Sequence, residues 1–232
     1  MAKFCTKCGK ELKDGKACDC EVVSTKTEGV DISGYVNSYI EIIKGIFTKP
    51  VTTIKKYVTA DNFNLAIIAL VVNCIITGLF TYCLLNEGMK SLGMLSRYIG
   101  FGYTNVEVPF MKVFLYGFVF MAVWFAVMAL MIYLIANVIM KDKIDVKEAF
   151  ALVGVISVFT AVTTFVALIC IYISTKLMSL IIMLASVFYL TYLAQGISEL
   201  TSINKNKLAY VFVSALTVTM FVVCYVLPKI LF

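Results

Sequence analysis

Histidine is absent from this 232-residue chain, and proline, tryptophan and charged residues are scarce. Without histidine, the chain lacks the side chain that most often serves as an acid–base catalyst and metal ligand near neutral pH. Only 15% of the residues are charged, while 61% are hydrophobic. A soluble domain of this size cannot bury so much apolar surface. These absences argue against a soluble enzyme and favour a protein embedded in lipid.

Five uninterrupted apolar segments hold most of that hydrophobicity. They cover residues 65–85, 113–140, 149–173, 177–197 and 208–227, and none contains a charged residue. Each has about twenty residues or more, which lets a helix cross about 30 Å of hydrocarbon. The runs are continuous rather than alternating, so they do not fit strands. The sequence predicts an all-α polytopic membrane protein, with a five-helix transmembrane bundle over residues 61–232 in contact with the lipid bilayer.

The distribution of lysine and arginine predicts the orientation. With five spans the two termini lie on opposite sides, and fifteen basic residues fall on the side of the N-terminus against five on the other side. Positive residues are retained in the cytoplasm, so we expect a multi-pass protein of the cell (plasma) membrane with a cytoplasmic N-terminus and an external C-terminus. The net charge of +6 is explained by these flanking residues, which makes nucleic acid an unlikely partner. The polar N-terminal region shows no secretory signal.

Four cysteines near the N-terminus have the spacing of a metal knuckle. Cys5 and Cys8 form a Cys-x-x-Cys pair, and Cys18 and Cys20 form a Cys-x-Cys pair nine residues further on. Cytoplasmic thiols stay reduced, so a tetrahedral site for structural Zn²⁺ is favoured over disulfides. We therefore predict a small N-terminal zinc ribbon with four cysteine ligands over residues 1–21, with a turn between two short strands at Asp14-Gly15.

Zinc held by four thiolates has no open coordination position, so this site predicts a structural role rather than catalysis. The second pair is tighter than the Cys-x-x-Cys of common ribbons, which leaves a redox-sensitive site as an alternative. The other cysteines lie within the spans, where lone thiols usually act as small apolar fillers. They are Cys74, Cys83, Cys170 and Cys224.

Residues 22–34 have little periodicity and are interpreted as a linker, whereas residues 35–60 are amphipathic. The apolar positions of this second stretch recur at helical spacing, and lysines interrupt them. They are Val36, Ile40, Ile43, Phe47, Val51, Ile54 and Val58. Pro50 is expected to divide the stretch into two short helices, followed by Asp61 or Asn62 as the cap of the first span. The stripe fits either the membrane interface or packing under the bundle.

Polar residues inside the spans are few. Asn73, Asn137 and Gln195 could line a substrate path, although transport sites usually keep an ionisable residue as well. Small residues recur at helix-contact spacing, as in Ser157-x-x-x-Ala161 and Ala194-x-x-x-Ser198, which is a usual device for helix packing in lipid. The link Ser174-Thr-Lys176 predicts an antiparallel hairpin of the third and fourth spans, and Met89–Ile99 is predicted to form a short surface helix between the first two.

Three short motifs carry a family resemblance. The run Phe4-Cys-x-x-Cys8-Gly-Lys resembles the N-terminal zinc ribbons of many bacterial membrane proteins. Ile43–Ile54 and Val146–Gly154 resemble the corresponding segments of bacterial Yip-like (Ypt/Rab-interacting protein-like) proteins. This resemblance implies five spans with a cytoplasmic N-terminus. The trafficking role and small-GTPase partners of eukaryotic members are not implied, because their loop motifs are not seen here.

Three functions are compatible with the sequence. The first is a non-catalytic membrane scaffold or adaptor of Yip-like type, whose cytoplasmic ribbon contacts an unidentified cytoplasmic or membrane protein. The second is a transporter or lipid-handling protein that uses the interior of the bundle. The third is a zinc or redox sensor of envelope stress. No pairing of a nucleophile with a base or of two carboxylates indicates an enzyme, and homo-oligomers are compatible with the sequence.

Overall fold

The structure is a computed structural model that describes residues 3–4, 11–12, 32–99, 107–139, 141, 143–201, 205–226 and 229. Residues 1–34 and 35–232 form two separate compact units. In the first unit, strand β1 (Lys3–Phe4) pairs antiparallel with β2 (Glu11–Leu12). In sequence the two strands flank the first cysteine pair. The four predicted zinc ligands, the Asp14-Gly15 turn and most of the linker lie outside the described residues.

The second unit is helical throughout its described part. Its helices are α1 (Ile32–Thr48), α2 (Pro50–Tyr57), α3 (Phe63–Ile99), α4 (Phe110–Leu134), α5 (Val146–Ile171), α6 (Thr175–Leu200) and α7 (Lys205–Phe221). Helices α4 and α7 each continue as a π-helical turn, Ile135–Ile139 and Val222–Val226. Within the described residues, five helices are long and apolar enough to cross a membrane, which confirms the predicted all-α membrane bundle.

The first span extends further than the sequence indicated. Helix α3 continues to Ile99, so the surface helix predicted over Met89–Ile99 is the end of α3 rather than a separate element. Proline is absent from Met89–Ile99, and the single glycine of this stretch, Gly93, weakens a helix without stopping it. The predicted cap was also wrong. Asp61 and Asn62 lie in a 3₁₀ turn, where the Asn62 amide donates to Thr59 Oγ1.

Local signals explain the other helix boundaries. Pro50 separates α1 from α2 as expected, because it stands at the first position of α2, where a missing N–H is harmless. Asp145 and Glu148 form a capping box at the start of α5. Ser174 caps α6 by accepting from the main-chain N–H of Leu177, which completes the predicted hairpin with α5.

Helix α5 is the centre of the bundle. All nine residues from 151 to 159 are buried, since α3, α4 and α6 pack around them. Helix α7 packs mainly on α4 and more sparsely on α6. Helix α2 lies at one end of the unit, against α5 and the end of α6, and the end of α1 contacts the middle of α5 through Phe47 and Phe159. The loop between α4 and α5 lies at the same end, and we call this the basic end because the lysines of α2 and of this loop lie there.

Candidate functional site

The contact between α3 and α5 is built around one buried amide. Asn73 is fully buried, and its Nδ2 donates to the main-chain oxygen of Ser157 at 2.7 Å and also to Thr160 Oγ1. Its Oδ1 accepts from Thr77 Oγ1 at 3.1 Å. Every polar group of this side chain is therefore bonded, the Nδ2 across the contact to α5 and the Oδ1 within α3. In lipid, such bonds hold helices together because no water competes for them.

A glycine brings the same two helices unusually close. A Cβ placed on Gly154 would lie 2.5 Å from the Ala66 Cβ and 2.8 Å from the Ala66 main-chain oxygen. No ordinary side chain fits at this position without moving a backbone. We call the contact formed by Asn73, Gly154, Ala66 and Ser157 the seam. It is a packing structure with no free polar group for a substrate.

Asn137 stabilises the turn between α4 and α5 at the basic end. Its Oδ1 accepts from the Ile144 N–H at 2.9 Å, and its Nδ2 donates to the Ile144 oxygen at 2.8 Å and to the Tyr133 oxygen at 3.1 Å. The side chain thus closes the turn between α4 and α5, in which Lys141 has a φ of 58°. Gln195 is exposed on α6. The three residues proposed for a substrate path therefore lie in separate surroundings.

A cavity of about 580 Å³ lies further along α5 and borders the seam, since Thr160 accepts from Asn73 and also lines the cavity. Four helices form its wall, and each contributes residues at helical spacing from a single face. The lining residues are Phe120, Met121, Trp124 and Phe125 from α4; Thr160, Thr163 and Thr164 from α5; Ile182, Ala185, Ser186, Tyr189 and Leu190 from α6; and Leu216, Met220 and Cys224 from α7 and its π-turn. Its volume is within the usual range of small-molecule sites. None of the residues predicted for a substrate path lines it.

The hydroxyl groups in this wall differ in whether their protons have an acceptor. The hydroxyl protons of Thr160, Thr163 and Ser186 are donated to main-chain oxygens of their own helices. Tyr189 is 8% exposed, and the proton of its buried hydroxyl has no acceptor among the described residues, although the Trp124 indole N–H is close enough to donate to the hydroxyl oxygen. An indole can only donate, so it cannot accept the hydroxyl proton of Tyr189.

The cavity is connected to the outer surface of the bundle. Several of its lining residues are exposed there, namely Phe120, Ser186, Met220 and Cys224. These residues belong to membrane-spanning segments, so the surface that they share with the cavity faces lipid. Cys224 consequently is not the buried filler that the sequence predicted. Cys74 and Cys170 are buried, as expected.

The amphipathic stretch has two apolar faces rather than one. Ile42 and Ile46 on α1 are 1% and 0% exposed, and Ile54 on α2 is also buried. Val36 and Ile40, which we assigned to the apolar stripe, are exposed on the other side of α1. The sequence stripe therefore mixed two faces. Helix α1 packs on the bundle through Ile42 and Ile46, while Val36 and Ile40 are exposed on a second face. Phe47, at the end of this second face, contacts Phe159 of α5 with 5.1 Å between the ring centroids.

Charged side chains join α1 and α2 to each other and to the bundle. Glu41 accepts from Lys56 Nζ at 2.5 Å and from the Tyr57 hydroxyl at 2.6 Å, and Lys55 forms an ion pair with Glu199 of α6 at 3.4 Å. The hydrogen bonds from Lys56 and then Tyr57 lower the pKa of Glu41. The hydrogen bond to Glu41 raises the pKa of Lys56. Burial, followed by the bond to Glu41, raises the pKa of Tyr57.

Within the described residues, no cluster of three or more cysteine, aspartate or glutamate side chains could hold a metal ion. The predicted zinc ligands Cys5, Cys8, Cys18 and Cys20 are not among those residues. The cavity and the Tyr189 hydroxyl proton without an acceptor were missed by sequence reasoning. A single tyrosine in the middle of an uncharged span was the only signal that could have indicated them.

Comparison with known families identifies the architecture. The family model of the Yip1 domain matches residues 44–227, from the last residues of α1 to the end of the last span. The chain therefore belongs to the Yip1 domain family, which is in general a family of non-enzymatic membrane proteins. The matched region excludes the cysteine-bearing N-terminal segment. No curated protein and no solved structure matches the chain significantly.

Proposed function

We propose that this Yip1-family protein is a non-catalytic membrane scaffold or adaptor that engages a partner protein at the cytoplasmic face. The observation that carries the proposal is the arrangement of α1. One apolar face packs on the bundle through Ile42 and Ile46, while the other exposes Val36 and Ile40 next to charged residues. A helix with this distribution lies in the interface between lipid and water. The exposed face of α1 is therefore available to a partner at the membrane surface.

The orientation of the bundle supports a cytoplasmic position for this surface. The basic end combines Lys55 and Lys56 of α2 with Lys141, Lys143 and Lys147 of the α4–α5 region. Clusters of this kind are retained on the cytoplasmic side and attract anionic headgroups. A cytoplasm-active reporter fused after Lys143 is expected to work, and an exterior-active reporter is expected to work after Lys90. The opposite pattern would contradict the orientation.

The N-terminal segment is proposed as a zinc ribbon that binds the partner protein. Strands β1 and β2 support this proposal, since they pair on either side of Cys5 and Cys8 in the sequence, as in a knuckle hairpin. Zn²⁺ bound to Cys5, Cys8, Cys18 and Cys20 would supply folding energy, which for small zinc units amounts to about 10–16 kcal/mol of apparent binding energy. Metal analysis should find one zinc per chain in the wild type and a loss in Cys18→Ser. Unchanged zinc in the variant would contradict a four-ligand site.

Deletion of residues 1–31 tests the adaptor role directly. Helix α1 begins at Ile32, so the deletion retains α1, α2 and the bundle. We expect unchanged membrane insertion and thermal unfolding, but loss of the protein partners that crosslink to the full chain. Recovery of the same partners by the truncated chain would contradict a partner-binding role of the N-terminal segment and would leave the exposed face of α1 or the bundle as the interacting surface.

Transport, redox or stress sensing, and lipid handling are alternatives to the adaptor role, and different observations bear on each of them. Transport through Asn73, Asn137 and Gln195 has no support, because these residues lie apart and two of them are used in helix and loop packing. A redox or stress sensor depends on the Cys18–Cys20 pair, and oxidation of the head under mild oxidant would test it. Lipid handling has one specific observation in its favour, which is the cavity between α4, α5, α6 and α7.

A further inference from the structure

We infer that the intramembrane cavity is a binding site for a neutral, lipid-soluble molecule that has an apolar chain and a carbonyl oxygen, which accepts the hydroxyl proton of Tyr189. The inference rests on the lipid-handling alternative and not on the adaptor role. The molecule would enter from the lipid between the helices. Its chain would lie along the aromatic and aliphatic wall, with its oxygen beside Tyr189 in the middle of α6.

The shape of the cavity selects an elongated ligand. Its wall on α6 runs from Ile182 to Leu190, a rise of about 12 Å along the helix axis. Aromatic side chains from α4 form the facing wall. Such a space matches a hydrocarbon chain, because a pocket of this kind gains its binding energy mainly from apolar contact.

The charge of the wall excludes an ionic group on the ligand. Among the lining residues there is no lysine, arginine, aspartate or glutamate. An anionic headgroup would be buried here without a counter-charge, which is very costly in a medium of low polarity. The part of the ligand that enters the cavity is therefore uncharged.

The Tyr189 hydroxyl selects the polar atom of the ligand. Its proton has no acceptor among the described residues, and the neighbouring Trp124 indole is a donor. A buried hydroxyl proton without an acceptor destabilises the protein, so an acceptor that reaches it is bound favourably. A carbonyl oxygen supplies the acceptor without adding a donor of its own. Tyr189 lines the cavity, so a change of its rotamer would bring the hydroxyl to a bound molecule.

Two kinds of membrane molecule have this chemistry, namely acyl esters of glycerolipids and isoprenoid quinones. Trp124 is the only tryptophan of the chain and lies in the cavity wall, so its fluorescence reports on this site alone. The full chain in nanodiscs would be titrated with three probes that quench tryptophan. They are a brominated fatty-acid methyl ester, a decyl-chain benzoquinone and a brominated alkane without a carbonyl.

We expect quenching that saturates at a low mole fraction of probe, above the linear background from the surrounding lipid. Ala185→Phe and Ser186→Leu, which fill the cavity from α6, should abolish the saturable quenching and leave only the linear background from the lipid. Val187→Phe is the matched control, because Val187 is exposed on the same helix and does not line the cavity. It should behave as the wild type. Saturation by the ester alone would indicate an acyl lipid, by the quinone alone a quinone, and by both the shared carbonyl chemistry.

Tyr189→Phe tests the polar contact. It should weaken the binding of the carbonyl probes about three- to tenfold, as expected for one lost hydrogen bond, and should leave the alkane unaffected. Linear quenching in the wild type, or saturation that persists equally in both filled variants, would overturn the binding site. Equal effects of Tyr189→Phe on all three probes would overturn the carbonyl assignment. The chain lacking residues 1–31 retains the cavity, so failure here is distinguishable from failure of the adaptor role.

Discussion

The two sides of α5 are packed by opposite means. Towards α3, small residues and one amide bring the helices into direct contact, and every polar atom of Asn73 is bonded. Towards α6 and α7, large aromatic side chains meet three threonines and leave a cavity. The difference follows from side-chain shape, since small residues allow close backbone approach in lipid. Aromatic rings from α4 and α6, together with smaller side chains from α5 and α7, fill the space between these helices less completely, and that leaves room for another molecule.

The largest effect is expected from breaking the seam. Gly154→Leu places a branched side chain where even a Cβ would lie 2.5 Å from Ala66. The helices must separate, and we expect a loss of about 3 kcal/mol in the free energy of unfolding. Denaturation in mixed micelles measures this loss. Gly88→Leu is the matched control, because a Cβ at Gly88 meets no atom within 4 Å. Equal stability of the two variants would contradict the close contact.

The next effect concerns the amide of the seam. Asn73→Leu removes the bonds to Ser157 and Thr160 and leaves the apolar bulk, so we expect a loss of about 1–2 kcal/mol in the same unfolding measurement. Gln195→Leu is the control, since Gln195 is an exposed amide in another span. It should leave stability almost unchanged. A larger effect at Gln195 than at Asn73 would reverse the roles that the structure gives them.

A larger side chain should destabilise the protein much less at the cavity than at the seam. Ala185→Phe adds a ring to a wall that has free volume beside it. Its unfolding free energy should stay within about 1 kcal/mol of the wild type, because filling a cavity adds contacts instead of strain. Gly154→Leu, measured under the same conditions, should lose much more of its unfolding free energy than Ala185→Phe. Similar destabilisation of both variants would mean that the two sides of α5 are equally tight.

The smallest effect is expected from the charged link between α1 and α2, outside both regions. Its contribution is present between the ordinary pKa of Glu41, 4.5, and that of Lys56, 10.5. It is lost as the pH falls through the lowered pKa of Glu41 or rises through the raised pKa of Lys56. Glu41→Gln should remove this dependence and increase amide exchange in α2 without affecting the seam. Glu87→Gln is the control, because Glu87 pairs with Lys90 within one helix. An identical response of α2 in both variants would contradict the link.

The transmembrane spans and the break at Pro50 were predicted better from the sequence than the packing of helix faces. The five spans were predicted because each has an uncharged run long enough to cross a bilayer, and Pro50 was a sufficient signal for the break between α1 and α2. The faces of α1 were not separated, because Ile40 and Ile42 are equally apolar and only tertiary packing distinguishes them. Of the two repeats of small residues, Ser157-x-x-x-Ala161 is buried and supplies Ser157 of the seam, whereas the other is buried only in part. Ser198 of the Ala194-x-x-x-Ser198 motif is exposed, while the close contact is formed at Gly154.

The cavity could not be predicted from the sequence. Its existence depends on how the side chains of four helices fail to fill the space between them, and no periodicity reports such a void. Asn73 was recognised as an unusual residue inside a span. Its role in the seam became apparent only from its bonds to Ser157, which is 84 positions further along the chain.

Two native cysteines test the contrast between the two sides of α5 most directly. Cys74 is buried and follows Asn73 of the seam in α3, and Cys224 is exposed in the wall of the cavity. The full chain in micelles would be treated with a small apolar maleimide, and the modification of each cysteine would be followed by mass spectrometry, with complete labelling after denaturation as the reference. We predict that Cys224 is modified while Cys74 stays unmodified until the bundle unfolds. Modification of both cysteines at the same rate in the folded protein would contradict a tight seam on one side of α5 and an accessible cavity on the other.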